Sequence, residues 1–147
     1  MAGETILKFG TPKTLEANGA SIANNALAQA DDASYGVTAD GADYPDARFV
    51  AAFTFSTAPT EGTVLALYAR PLDIDGTADA QVPEAARPTV YIGSFVVDNV
   101  TSAQYAELLA RDVPWKADYY LHNSGTGQTV SAGWTLKVTP CTVAPAA

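Results

Sequence analysis

The sequence predicts an all-β chain, folded as a single antiparallel β-sandwich or jelly roll with one short helix. Two observations lead to this fold class. Six runs rich in β-branched and aromatic residues are separated by Gly, Pro, Asp and Ser, and only one run has clear helical spacing. Strands without alternating helices favour a sandwich over βαβ units. A chain of 147 residues fits one domain, residues 1–147, with short flexible N- and C-terminal ends.

The first three predicted strands occupy the N-terminal half. Glu4–Phe9 is a short opening strand that Gly10 and the following proline end. Arg48–Ser56 alternates apolar residues, and a turn-forming TAPTEG segment leads into a returning strand, Thr63–Arg70. The stretch Asn18–Ala30 lies between the first two of these strands. It is ambiguous because its alanines suit a helix and its paired asparagines suit a turn.

The remaining predicted strands are Thr89–Val97, Asp118–His122 and Trp134–Thr139. The predicted helix covers Thr101–Arg111 and is clearest over Ser102–Ala110. It opens with a Thr and a Gln at capping-box spacing, then places apolar residues on one face. A proline shortly afterwards ends it.

Two segments, Phe49–Phe55 and Val64–Ala69, are apolar on both faces, although a strand with one solvated face normally alternates. Either loops or the helix cover the second face, or a partner subunit covers it, since exposed apolar patches mark interfaces. If a partner covers it, the predicted interface residues are Phe49, Phe53, Leu65, Leu67, Tyr119 and Tyr120.

The glycine-rich stretch "HNSGTGQTVSAG", residues His122–Gly133, raises the question of a phosphate or catalytic site. A phosphate-binding loop needs a Lys and a Ser/Thr after its last glycines, and Gln128 stands there instead. The β runs on both sides predict a hairpin with Asn123–Gly127 at its tip and no nucleotide. No nucleophile motif accompanies the lone histidine, so we expect no catalytic residue and no enzyme activity.

Carboxylates are clustered in two loops. Asp73, Asp75 and Asp79 surround one glycine and are the candidate Ca²⁺ ligands, and Asp40, Asp43 and Asp46 lie near another glycine. Because the complete loop pattern is missing, solvated acidic loops are the expectation. The sequence predicts no cofactor.

Charge and composition restrict the partners. Sixteen acidic and eight scattered basic residues give a net charge of −8, which argues against nucleic acid. No apolar run approaches a membrane span, and the N-terminus lacks a signal-peptide pattern. The one cysteine, Cys141, is interpreted as a small apolar filler. We therefore expect synthesis in a reducing cytoplasm.

Several segments, in order, resemble small structural proteins of tailed bacteriophages that are encoded beside the major capsid protein. They are "ILKFGTP", "ARFVAAFTFSTAPTEGTVLALYARPLDIDGT", "YIGSFVVDNVTSAQY" and "VPWKADYYLHNSGTGQTVSAGWTLKVTP". The similarity is one of pattern over nearly the whole chain and includes no catalytic motif.

Such proteins are similar to jelly-roll cement or decoration proteins. The resemblance implies a location on the outer capsid surface of the virion, after synthesis in the host bacterial cytoplasm. The implied partners are the major capsid protein and further copies of the chain, as a dimer or trimer on the lattice. The implied mechanism is mechanical, because extra surface buried across subunit boundaries stabilises the assembled shell.

The alternative function is that of a tail or fibre module that binds a host surface glycan. It shares the sandwich fold, and Tyr119, Tyr120 and Trp134 would stack on sugar rings. Core or interface packing also accounts for these three residues. A cement protein is present in many more copies per virion than a tail fibre.

Overall fold

The computed structural model describes residues 5–36, 44–72, 80–86 and 90–145. In these ranges the chain forms nine strands and no helix. Residues 1–4 and 146–147, which include the ends expected to be flexible, lie outside these ranges. Within the ranges, no helix is long and apolar enough to cross a lipid bilayer. The strands are β1 (Thr5–Phe9), β2 (Lys13–Gly19), β3 (Leu27–Tyr35), β4 (Asp46–Phe53), β5 (Val64–Pro71), β6 (Val90–Val96), β7 (Gln104–Ala110), β8 (Ala117–Ser124) and β9 (Trp134–Pro145).

The strands form two antiparallel sheets that face each other, which confirms the predicted β-sandwich. In the first sheet β9 pairs with β1 and β2 on one side and with β4 on the other, and β7 forms the edge beyond β4. The second sheet has the order β3-β8-β5-β6. Among β2–β9, β2 therefore pairs with β9, β3 with β8, β4 with β7 and β5 with β6. This nested pairing is the winding of a jelly roll.

Alternation along the strands directs side chains into the core between the sheets. In β4 every second residue from Ala47 to Phe53 is buried. Three aromatic rings meet across the sheets: Phe49 lies 5.1 Å from Tyr119 between ring centroids, and Tyr35 lies within 6.5 Å of both. Close tilted and edge-on pairs of this kind stabilise a core beyond the area they bury.

The prediction of a helix over Ser102–Ala110 is wrong, because most of this segment is the edge strand β7. The amide of Gln104 does not cap a helix: it accepts from the Asp98 backbone N–H at 2.9 Å and donates to the Asp98 carbonyl at 3.0 Å. Its capping-type hydrogen bonds thus close the turn that precedes β7. Seven consecutive pairs with β4 then hold the segment extended, so tertiary pairing outweighs helical propensity.

Two strands escaped prediction. Lys13–Gly19 forms β2, and the ambiguous stretch Asn18–Ala30 contains the end of β2, a turn and the start of β3. Both strands are interrupted by acidic and other polar residues, with Glu16 buried in β2 and Asp31 and Asp32 exposed in β3, which weakened the apolar alternation. The last strand, β9, is longer than predicted because its C-terminal half pairs with β1.

Candidate functional site

The six residues predicted to form an interface do not form one. Phe49, Phe53, Leu65, Leu67 and Tyr119 belong to the hydrophobic core, so the facing sheet of the same chain covers them. Tyr120 is also buried, on the outer side of the second sheet, where its hydroxyl donates to Gln29 Oε1 at 3.2 Å. Burial raises the pKa of the Tyr120 phenol. The buried side chains of these strands therefore need no partner subunit to cover them.

The aromatics named for glycan stacking are likewise inaccessible. Tyr119 and Trp134 are core residues, and the Trp134 indole donates to the Ala20 carbonyl at 2.7 Å. Tyr91 and Tyr68, in contrast, lie on the outer face of the second sheet with centroids 5.6 Å apart, and Tyr91 is exposed. Sequence alone did not separate the buried tyrosines from the exposed ones.

The glycine-rich stretch forms a loop between sheets and not a hairpin. It joins β8 to β9, which lie in different sheets because jelly-roll winding pairs β8 with β3 and β5. Gly125 and Gly127 adopt φ of 75° and 78°, a conformation that favours glycine. The predicted turn residues are thus present, but the predicted pairing of the two flanking strands is wrong.

Buried Asn123 organises this loop. Its Nδ2 donates to the Ile22 carbonyl at 3.0 Å and to the Gln128 carbonyl at 2.7 Å, and its Oδ1 accepts from Thr126 Oγ1 at 2.6 Å. Asn24 Oδ1 accepts from the Gly127 backbone N–H at 2.9 Å. The side-chain amides of Asn123 and Asn24 thus bind backbone groups of this loop. Buried polar groups such as Asn123 are generally hydrogen-bonded in this way.

His122 lies on the outer face of the second sheet against the Tyr68 ring, with centroids 6.1 Å apart. Both imidazole nitrogens are buried, and neither has a hydrogen-bond partner among the described residues. Within the described part of the chain, no hydrogen bond therefore orients this imidazole as proton transfer requires.

Three carboxylates meet where β2 and β3 close one side of the sandwich. The carboxylate oxygens of Glu16, Asp31 and Asp32 lie within 4.8 Å of one another, with Glu16 buried. Glu16 accepts from the Asn18 N–H at 2.9 Å, and Asp32 accepts from the Ala17 N–H at 2.7 Å. Oxygen clusters of this kind suit a hard cation chemically, but here the same oxygens bind backbone amides.

Sequence reasoning missed this cluster because its members come from two strands that it did not predict. The predicted Ca²⁺ candidates Asp73, Asp75 and Asp79 lie outside the described residues, as do Asp40 and Asp43.

Cys141 is a free, fully buried thiol. Burial raises its pKa, and the nearby Asp46 carboxylate adds to the rise. Both effects favour the protonated form, which agrees with the interpretation of Cys141 as an apolar filler.

The first sheet extends into an arm, which we define as β1 together with the end of β9, residues 142–145. Pairing with β4 stops at Cys141, so beyond it β9 is hydrogen-bonded to β1 alone. All five side chains of β1 are exposed. The exposed apolar residues of the arm are Ile6, Leu7, Phe9 and Val143.

The outward face of the first sheet carries further exposed apolar side chains. We define the outer face by three rows across β7, β4 and β9, namely Tyr105–Ala52–Thr135, Glu107–Val50–Lys137 and Leu109–Arg48–Thr139. Tyr105 is 78% exposed, the largest fraction among the large apolar residues of the described ranges, and Leu109 is 55% exposed. Between them Arg48 forms an ion pair with Glu107.

Two hollows flank the middle row. One, of about 220 Å³, lies at the Leu109 end and reaches Leu7 and Phe9 of the arm. The other, of about 240 Å³, lies beside Tyr105 and Thr135. Both are open depressions with largely apolar walls, unlike an enclosed ligand pocket.

Comparison with known proteins identifies no relative: no family description, no curated protein and no solved structure matches the chain.

Proposed function

We propose that the protein binds the outer surface of a bacteriophage capsid and reinforces the assembled shell. The pattern resemblance supports this proposal, and the jelly-roll winding agrees with the fold that the resemblance implies. Fold alone does not specify function, because jelly rolls serve many unrelated roles. The proposal therefore depends on a surface feature as well.

The observation that carries the proposal is the arm. Eight strands complete the jelly roll, so β1 is an addition that contributes no buried side chain to the core. A two-stranded ribbon is only marginally stable in water, and here it exposes Ile6 and Val143. Such a ribbon gains stability when a neighbouring protein surface covers it, as a subunit of a shell would.

Binding through this arm has an expected character. The contact is centred on apolar side chains, with charged residues restricted to its rim. Rim ion pairs contribute little and are screened by salt, so we expect only a modest loss of binding at high ionic strength. Truncation of an apolar arm residue has the larger effect.

The test uses empty shells assembled from the major capsid protein encoded in the same genome. Shells are mixed with the protein, sedimented and quantified. We expect saturable binding in proportion to the number of capsid subunits, and resistance of the decorated shells to a higher temperature. The double variant Ile6→Ser/Val143→Ser should weaken binding by about tenfold or more.

The matched control is Val96→Ser, because Val96 is exposed to a similar degree, 63%, but lies on β6 of the other sheet. Absence of binding by the unchanged protein, or equal heat resistance with and without it, would refute the proposal. Binding confined to tails, with a few copies per particle, would favour the glycan-binding alternative.

A further inference from the structure

We propose that β1 is a strap that detaches from β9 while the jelly roll stays folded, and that each detachment uncovers the thiol of Cys141. This proposal concerns the isolated protein and requires no capsid. It rests on three observations: how β1 is held, where its attachment to the fold begins, and where Cys141 lies relative to it.

The first observation is that β1 is held mainly by backbone pairing. All five of its side chains are exposed, and it is the only one of the nine described strands that buries none. It pairs with β9 alone, from Thr5 opposite Pro145 to Phe9 opposite Cys141. Hydrogen bonds to water replace the ladder bonds that are lost on opening, so a ladder without buried apolar area is held weakly. Detachment of β1 therefore costs far less free energy than unfolding of the core.

The second observation is a clamp on the chain directly after β1. The Gly10 backbone N–H donates to the Pro140 carbonyl at 2.8 Å. The Tyr44 ring packs so closely there that a Cβ on Gly10 would lie 2.8 Å from Tyr44 Cε2. Further along, β2 is anchored because Leu15 is fully buried in the core. The segment that can detach is therefore Thr5–Phe9.

The third observation is that Cys141 is buried outside the core. Its side chain is fully buried, but it does not belong to the cluster of core residues between the sheets. It lies on the outward side of the first sheet, two residues beyond Thr139, in a row with Phe9 of β1 and Asp46 of β4. Paired side chains on one face of a sheet lie about 5 Å apart between Cβ atoms. Phe9 therefore screens the thiol on its β1 side, and detachment of β1 removes this screen.

Together the three observations make Cys141 a reporter of β1. A core side chain becomes accessible when the sandwich unfolds, whereas a side chain screened by β1 becomes accessible whenever β1 detaches. Detachment also leaves residues 142–145 of β9 without a strand partner among the described residues, since pairing with β4 stops at Cys141. The open and closed forms thus differ at one end of one sheet.

The first measurement is the rate at which iodoacetamide, a small neutral reagent, alkylates Cys141 at urea concentrations below the unfolding transition. Mass spectrometry follows the reaction. We expect a rate below that of the unfolded chain and independent of urea, because detachment of β1 exposes little new surface.

The matched control is Val138→Cys in a Cys141→Ala background, because Val138 is a core residue of the same strand. Its thiol should react at least about a hundredfold more slowly than Cys141, and its rate should rise steeply with urea. If this variant does not fold, the urea dependence of the Cys141 rate decides the question alone.

The second measurement links the exposure of Cys141 to β1. Ile6→Gly weakens the strand without changing the row of Cys141, since Ile6 is opposite Ala144. It should raise the alkylation rate of Cys141 about fivefold, because Gly is a poor strand former and Ile a good one. Val96→Gly is the matched control: Val96 is exposed on β6 of the other sheet, so the rate should not change.

Hydrogen exchange identifies the segment that opens. The amides of Thr5–Phe9 should exchange through the same urea-independent opening, whereas those of Leu136 and Val138 should exchange only on unfolding. Equal rates and equal urea dependence for Cys141 and the core cysteine would contradict the proposal, because β1 would then open only with the whole fold. So would an effect of Ile6→Gly no larger than that of Val96→Gly, or amides of β1 as protected as those of the core.

Discussion

At the scale of single residues, two buried polar side chains hold distant segments of the chain together. Asn123 binds two backbone carbonyls from different parts of the chain, and Glu16 accepts from two backbone amides. Each joins segments that the sequence places far apart. A buried side chain that binds several backbone groups is costly to remove, because several hydrogen bonds are lost at once.

We therefore expect Asn123→Ala to lower the free energy of unfolding by about 2–3 kcal/mol. The substitution removes three hydrogen bonds, those of the Asn123 amide with the Ile22 carbonyl, the Gln128 carbonyl and the Thr126 hydroxyl, and each contributes about 1 kcal/mol. Urea denaturation measures the change. Asn99→Ala is a control, because Asn99 donates one hydrogen bond to the Pro59 carbonyl from an exposed position. A loss no greater than that of the control would show that the Asn123 network contributes little.

His122 leads to the opposite expectation. Its ring nitrogens are buried without partners among the described residues, so an apolar side chain of similar size should fit at least as well. We expect His122→Leu to leave the unfolding free energy unchanged or to raise it by up to about 1 kcal/mol. Leu121→Ala, next to it but in the core, should lower it by about 2–5 kcal/mol. A clear loss of stability in His122→Leu would indicate a hydrogen bond from outside the described residues.

Cys141 links stability to alkaline pH. Burial raises its pKa above the ordinary value of 9.0, so the unfolded chain releases the thiol proton first. The contribution of the protonated Cys141 thiol to the stability of the fold is fully present below pH 9. It is lost as pH rises through the pKa of the folded state. We expect this loss to be smaller in Cys141→Ala, measured by denaturation at several pH values. The native thiol should also react with a thiol reagent far more slowly than in urea, and equal rates would contradict its burial.

At the scale of elements, close approach between strands depends on particular glycines. A Cβ at Gly19 would overlap the buried Trp134 indole, which is also held by its hydrogen bond to Ala20. A Cβ at Gly93 would lie 3.1 Å from Leu108 Cδ2, the end of a flexible side chain. The end of β2 and the start of β9 therefore have no room to adjust, whereas β6 and β7 do.

Gly19→Ala should accordingly lower the free energy of unfolding by about 3 kcal/mol, at the upper end of the range for overpacking. Gly93→Ala should cost about 1 kcal/mol, because Leu108 can change its rotamer. Thermal or urea unfolding of the two variants compares them directly. If the two losses are equal, the rigidity of the Trp134 ring does not account for the difference.

At the scale of the whole molecule, the arm lies apart from the core of the jelly roll. The core lies between the two sheets, and the side chains of β1 are outside it. Removing residues 1–7 should therefore change the unfolding free energy by no more than about 1 kcal/mol. Capsid binding should fall in the same variant if the arm is the contact. A large loss of stability would mean that the arm is part of the cooperative fold.

The sequence by itself determined the class of the fold. Six runs rich in β-branched and aromatic residues, with turn residues between them and only one run of helical spacing, were enough to predict a sandwich, because strands without alternating helices bury their apolar faces sheet against sheet. It also identified the loop after His122 as a turn without the lysine of a phosphate site. These are local properties, readable from neighbouring residues.

Only the tertiary structure decided which strands pair and which apolar residues stay exposed. Leu67 and Leu109 look alike in sequence, yet one is in the core and the other lies on an edge strand. The extended form of Gln104–Ala110 depends on β4, and the exposure of the arm depends on where β4 ends. Pairing between distant strands is set by the free energy of the whole core, which no local window of sequence contains.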